Sequence, residues 1–253
     1  MEQLRSWASD LVRTGWRPVP TQKSDAAPDP RDTDPAHRNG YAPYPDTLIL
    51  STERSGLNLI RHTVESATSQ RTPGKTHMLA KGPLAFHRSH WANTRTISPG
   101  RAPLCDDTGH PLYRKLVLLL RDPFEILPRA YDSQLERMHD YCDNLLAYAN
   151  FEGPKLLVVY DELVGNDQVL AEVLEFLGLG GRLQAVDIPH IRATSVTWYD
   201  ANQAVGGGSQ TQGSPVALRV HQQKLSQEER DALRALLFAR LGALVHRYLG
   251  RWL

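Results

Sequence analysis

Leu48-Ile49-Leu50-Ser51-Thr52-Glu53-Arg54-Ser55-Gly56-Leu57-Asn58-Leu59-Ile60 holds a strand, a loop and the start of a helix in one unbroken run. The apolar segment Leu48 to Leu50 suits a buried strand, and Ser51 to Gly56 is polar and carries the glycine that a tight bend needs. Leu59, Ile60, Thr63, Val64 and Ala67 then recur at helical spacing. A strand-loop-helix unit of this kind aims backbone N–H groups and a helix N-terminus at one point, where a phosphate or another anion is held. Arg54 and Ser55 add a charge and a hydroxyl there. The same residues also fit an ordinary strand-to-helix turn with a solvated arginine, so the rest of the chain has to decide.

The chain's 253 residues, 41% of them hydrophobic, suffice for one α/β domain with a substantial core. With 29 basic and 28 acidic side chains the net charge is +1, which gives no global attraction to nucleic acid or to a membrane surface. An anion site must therefore be local. Cys105 and Cys142 have neither metal-ligand spacing nor the density of a disulfide scaffold, which points to a reducing compartment. The longest apolar run, Leu116 to Leu120, is far too short to span a membrane, and the N-terminal stretch does not read as a signal peptide. The expectation is a cytoplasmic protein.

Leu4, Trp7, Ala8, Leu11 and Val12 predict an amphipathic helix over residues 1–17. Residues 18–46 are rich in proline and aspartate and read as a linker, or as an arm able to fold over a site as a lid. Residues 47–253 carry the α/β pattern. Lys115 to Leu120 is the clearest buried strand, with Arg121-Asp122-Pro123 at its carboxyl end. Asp122 and Pro123 read as N-cap and first helical residue, with Glu125 completing a capping box, and Pro128 predicts a kink or a delayed start. Lys155 to Tyr160 is a further strand, and Asp167 to Leu177 an amphipathic helix closed by Gly178. Ser226, in capping-box register with Glu229, opens one long final helix with a stripe from Leu233 to Leu249. Alternating strands and helices predict a central parallel sheet with helices on both faces.

Three of these stretches occur in the order found in sulfotransferases that use 3′-phosphoadenosine 5′-phosphosulfate (PAPS). Arg54-Ser55-Gly56-Leu57-Asn58 resembles that family's P-loop-like 5′-phosphosulfate loop. Leu118 to Pro123 is similar to its 3′-phosphate strand and turn, and Val158 to Leu163 to a later strand, with Leu174 to Leu179 like the end of the helix after it. The resemblance covers roughly residues 47 to 180. It implies that Arg54, Ser55, Gly56, Leu57 and Asn58 hold the 5′-phosphosulfate, that Arg121 binds the 3′-phosphate, and that Tyr160 contacts adenine. Thr194, Ser195 and Asn202 resemble an adenine-side segment, and Arg219 a second 3′-phosphate ligand. The chain departs from the family at Arg129, where a serine is usual and where the arginine either takes over that cofactor contact or faces solvent, and at Leu59, where an adenine-stacking aromatic is common. Arg54 stands where the family often has lysine.

Sulfuryl transfer needs in-line placement and cationic donors where charge grows on the leaving phosphate, which Arg54 can supply without a metal. The chain lacks the Gly-x-x-x-x-Gly-Lys-Ser/Thr motif of magnesium-dependent NTPases. The acceptor needs a base, and histidine suits that task at neutral pH. Arg88-Ser89-His90 and Lys75-Thr76-His77 both resemble the family's Lys-Thr-His strand, with His90 preferred, His77 second and Glu65 third. The implied acceptor is a hydroxyl or amine on a small molecule or carbohydrate. The alternatives are a P-loop nucleotide kinase or NTPase, and a non-catalytic nucleotide-binding module.

Overall fold

The computed structural model describes residues 46–52, 54–73, 84–92, 113–127, 134–181, 188–191 and 225–253. The expected N-terminal helix, nearly all of the proline-rich arm, and His77, Arg129, Thr194, Ser195, Asn202 and Arg219 lie outside them.

Among the described residues, four strands form one parallel sheet: β1 (Thr47–Ser51), β2 (His87–Ser89), β3 (Lys115–Leu120) and β4 (Lys155–Val159), in the order β2-β1-β3-β4. The register sets Leu50 beside Ser89 and Leu118, and Leu118 beside Leu157. The helices are α1 (Leu57–Thr68), α2 (Pro123–Ile126), α3 (Gln134–Asn150), α4 (Tyr160–Gly165), α5 (Asp167–Phe176), α6 (Gln227–Leu241) and α7 (Leu244–Leu249).

Alternation along the strands divides the core in two. Leu48, Leu50, Leu116, Leu118 and Leu120 point to one face, against Met138, Tyr141, Cys142 and Leu145 of α3 and Leu233, Leu237 and Leu241 of α6. Ile49, Val117, Leu119 and Val158 point to the other, against Ile60 and Val64 of α1 and Leu170, Val173 and Leu174 of α5. Strands covered on both faces need apolar residues at every position, which is why β3 reads as an unbroken aliphatic run. Lysines at the starts of two strands finish the helices beside them. Lys155 Nζ donates to the carbonyls of Tyr148, Ala149 and Phe151 at 3.0, 2.9 and 2.8 Å, and Lys115 Nζ to that of Phe176 at 2.9 Å. A cation there satisfies the carbonyls a helix leaves unpaired and complements its dipole.

Several expectations shift in detail. β2 is His87–Ser89 itself, just after the apolar run Leu84 to Phe86. β4 stops at Val159, and Tyr160 opens α4. Asp122 caps α2 by accepting from Phe124 N at 2.8 Å, but Glu125 turns to Arg121 instead of closing a capping box. The α2 helix ends ahead of Pro128, whose ring cannot sit inside a helix. Ser226 and Glu229 do form the capping box on α6. The single long final helix is two, α6 and α7, because Gly242 at φ 54°, ψ −129° adopts a backbone no helix can contain.

Candidate functional site

All four strands are parallel, so their carboxyl ends share one edge of the sheet. From β1 the chain crosses to β2 on one side, and from β3 to β4 on the other. The crevice of a doubly wound sheet opens where the winding reverses, here between β1 and β3. The β1 loop and Arg121 lie at that point, flanked by His90 after β2 and Tyr160 after β4.

The loop is wound tightly. Ser55 N donates to Thr52 O at 3.3 Å and the two hydroxyls meet at 2.8 Å, so the Ser55 side chain faces Thr52 and is buried. Arg54 takes up φ 69°, a left-handed conformation uncommon outside glycine. Gly56, at φ 97°, is the N-cap of α1 and places no side chain over the helix end. An N-terminus without a side-chain cap leaves first-turn N–H groups for an external acceptor, and the dipole favours a negative one. Glycine at 56 is also a packing requirement. A Cβ there would lie 2.8 Å from Leu163 Cδ2 and 3.0 Å from Tyr160 Cδ2.

Arg121 holds this loop from the side. It is 5% exposed, and its Nη1 donates to the carbonyl oxygen of Arg54 at 2.7 Å. Nε and Nη2 form a fork on the Glu125 carboxylate at 2.9 and 2.5 Å. The guanidinium carbon lies 3.8 Å from the centre of the Tyr160 ring. Arg121 thus stands at the switch point, as its strand-end position implied, but already engaged by a carboxylate, a carbonyl and an aromatic face. Tyr160, expected beside adenine, gives one ring face to Arg121 and an edge to Gly56. Glu125 is the residue that sequence reasoning misassigned. Its i,i+4 spacing from Arg121 was the available signal, and the capping-box pattern overrode it.

His90 sits on the other side of the loop. Its Nδ1 donates to the Ser51 carbonyl at 2.7 Å, and Ser51 Oγ lies 3.3 Å from the same nitrogen. A carbonyl can only accept, so Nδ1 carries a proton, and in the neutral ring the lone pair is on Nε2. Arg88 Nη1 lies 3.4 Å from Nε2. Trp91 packs edge-on to the imidazole at 5.7 Å, and Asn144 Nδ2 donates to the His90 carbonyl at 2.9 Å. Asn144, reaching across from α3, was not foreseen. His87, also on β2, is a different kind of residue. It is buried against the Tyr113 hydroxyl at 2.7 Å, and desolvation lowers its pKa to about 4.

Asn58 and Glu65 belong to a buried polar network along α1. Arg61 donates to Asn58 Oδ1 at 3.2 Å and to Thr72 Oγ1 at 3.1 Å, and Thr72 donates to Glu65 through both its hydroxyl and, at 3.3 Å, its backbone N–H. Glu65 thus anchors Thr72, with 4% of its surface exposed.

Among the described residues no helix is long and apolar enough to cross a membrane. No protein-family model matches the chain, and no curated protein matches it.

Proposed function

We propose that the chain is a PAPS-dependent sulfotransferase acting on a hydroxyl or amine of a small molecule or carbohydrate. The observation that carries this reading is the Ser51 to Asn58 loop. It pairs a helix N-terminus lacking a side-chain cap with an arginine-serine-glycine turn at the β1/β3 switch point, and a histidine is hydrogen-bonded to the strand that feeds it. The donor set suits a phosphosulfate, since backbone N–H groups and a helix dipole favour an anion without requiring a metal. Bound there, PAPS would supply the activated sulfuryl group.

The chain's own part follows from its residues. The first turn of α1 binds the anion, and Arg54 contributes cationic charge beside it. The Ser51 carbonyl holds the His90 tautomer, keeping the proton-accepting atom at Nε2, where an acceptor hydroxyl would give up its proton.

Calorimetry with adenosine 3′,5′-bisphosphate, ATP and magnesium-ATP tests the reading. Binding of the bisphosphate without magnesium is expected, and tight binding of magnesium-ATP alone overturns it in favour of a nucleotide kinase or NTPase. His90→Ala should abolish turnover of labelled PAPS while leaving bisphosphate affinity within about threefold, roughly the scatter of a lost neutral contact. Turnover retained in that variant moves the base elsewhere.

A further inference from the structure

We infer that Arg121 is a brace for the anion loop, and that Glu125 and Tyr160 are positioning residues that hold it in that role. A guanidinium matches a planar anion best through a two-donor edge, and the Nε/Nη2 edge of Arg121 is filled by Glu125. The Nη1 donor on the remaining edge goes to the carbonyl of Arg54, the residue whose left-handed backbone shapes the loop. Tyr160 lies under the guanidinium and along Gly56, so one ring supports both the cation and the start of α1. The Tyr141 hydroxyl adds a bond to the Arg121 carbonyl at 3.0 Å, fixing the end of β3. These contacts converge on loop shape. An arginine already paired by a two-point fork to a half-buried carboxylate is a weak phosphate ligand, because the incoming anion has to displace the carboxylate or share a charge already compensated. The loop conformation that presents the α1 N–H groups therefore depends on an ion pair outside it.

The ligand arm of the test rests on the sulfotransferase reading, and the exchange arm does not. Calorimetry compares adenosine 3′,5′-bisphosphate with adenosine 5′-monophosphate on the full chain and on Glu125→Gln, with Arg121→Lys as a second variant that keeps charge but loses the fork. A brace predicts that each variant weakens both nucleotides by the same factor, about tenfold for a charge-assisted bond, leaving the ratio between them unchanged. In hydrogen exchange, the amides of Ser55, Leu59 and Ile60, which donate to the Thr52 and Gly56 carbonyls, should exchange about tenfold faster in Glu125→Gln, with the amides of α6 unchanged.

Loss confined to the bisphosphate would make Arg121 a 3′-phosphate ligand and overturn the brace. Tighter bisphosphate binding in Glu125→Gln would make Glu125 a competitor, and unchanged loop exchange would show that the pair does not hold the loop. Either result also overturns it. Should neither nucleotide bind any form while loop exchange accelerates as expected, the sulfotransferase reading falls and the brace stands.

Discussion

Gly56→Ala probes the loop with a perturbation whose size can be worked from the coordinates. Two penalties add. An L-residue at φ 97° sits in the left-handed region, at about 1–2 kcal/mol. The new Cβ also approaches Leu163 Cδ2 at 2.8 Å and Tyr160 Cδ2 at 3.0 Å. Leu163 is fully buried and the Tyr160 ring lies against Arg121, so neither can step aside freely, and overpacking of this kind costs roughly 1–3 kcal/mol. The sum is about 3 kcal/mol, which in a chain of this size lowers Tm by on the order of 6–12 °C. Two controls separate the terms. Gly178→Ala keeps the left-handed strain (φ 76°) but meets open space, so about 1–2 kcal/mol is expected. Gly165→Ala, at the end of α4, has open space and no positive φ, and should be neutral or stabilising by up to about 0.5 kcal/mol. Urea unfolding of the three variants measures all of this. If Gly56→Ala matched Gly178→Ala, the packing of α4 beneath the loop would be refuted. If it matched wild type, the loop conformation itself would be wrong.

Three further predictions concern the frame around the site. Ser226→Ala removes the side-chain cap of α6 and should lower stability by about 1 kcal/mol in chemical denaturation, with a further loss in the Ser226→Ala, Glu229→Ala double variant, because the backbone N–H of residue 226 still donates to Glu229 Oε2 in the single variant. Lys155→Met keeps the aliphatic stem but withdraws the ammonium from three carbonyls at the end of α3, so a loss of about 2 kcal/mol is expected. Urea midpoints unchanged from wild type would mean those carbonyls are satisfied by water.

His87 makes stability depend on pH. Its folded pKa, about 4, lies below the unfolded value of 6.5, so the unfolded chain binds more protons between these two values. The contribution is therefore complete above pH 6.5 and is lost as pH falls toward 4. Between pH 7.5 and 5 this amounts to about 2 kcal/mol, and His87→Gln should remove that part of the decline in urea unfolding.

Much of the architecture is local and was legible in the chain. The aliphatic run Leu116 to Leu120 needs two apolar faces around it, which requires helices on both sides of a parallel sheet, and the structure has them. Ser226 and Glu229 specify a helix start by hydrogen bonds three residues apart, and Gly56 marks a bend only glycine fits. The break at Gly242 was missed because a glycine inside a helical stripe signals a stop only through its backbone angles, while the apolar spacing runs on through it.

What the tertiary structure alone decided is who faces whom across the carboxyl edge of the sheet. The order β2-β1-β3-β4 sets His90 against Ser51 and Arg121 against the Arg54 carbonyl, pairs separated by 39 and 67 residues. No periodicity or cap encodes such pairs, because they exist only once particular strands have become neighbours. The same adjacency chose the partner of Glu125. A local capping box and an ion pair to Arg121 were both open to it, and burial of the guanidinium between the loop and Tyr160 favours the ion pair, since a buried cation left without a carboxylate is the more costly state.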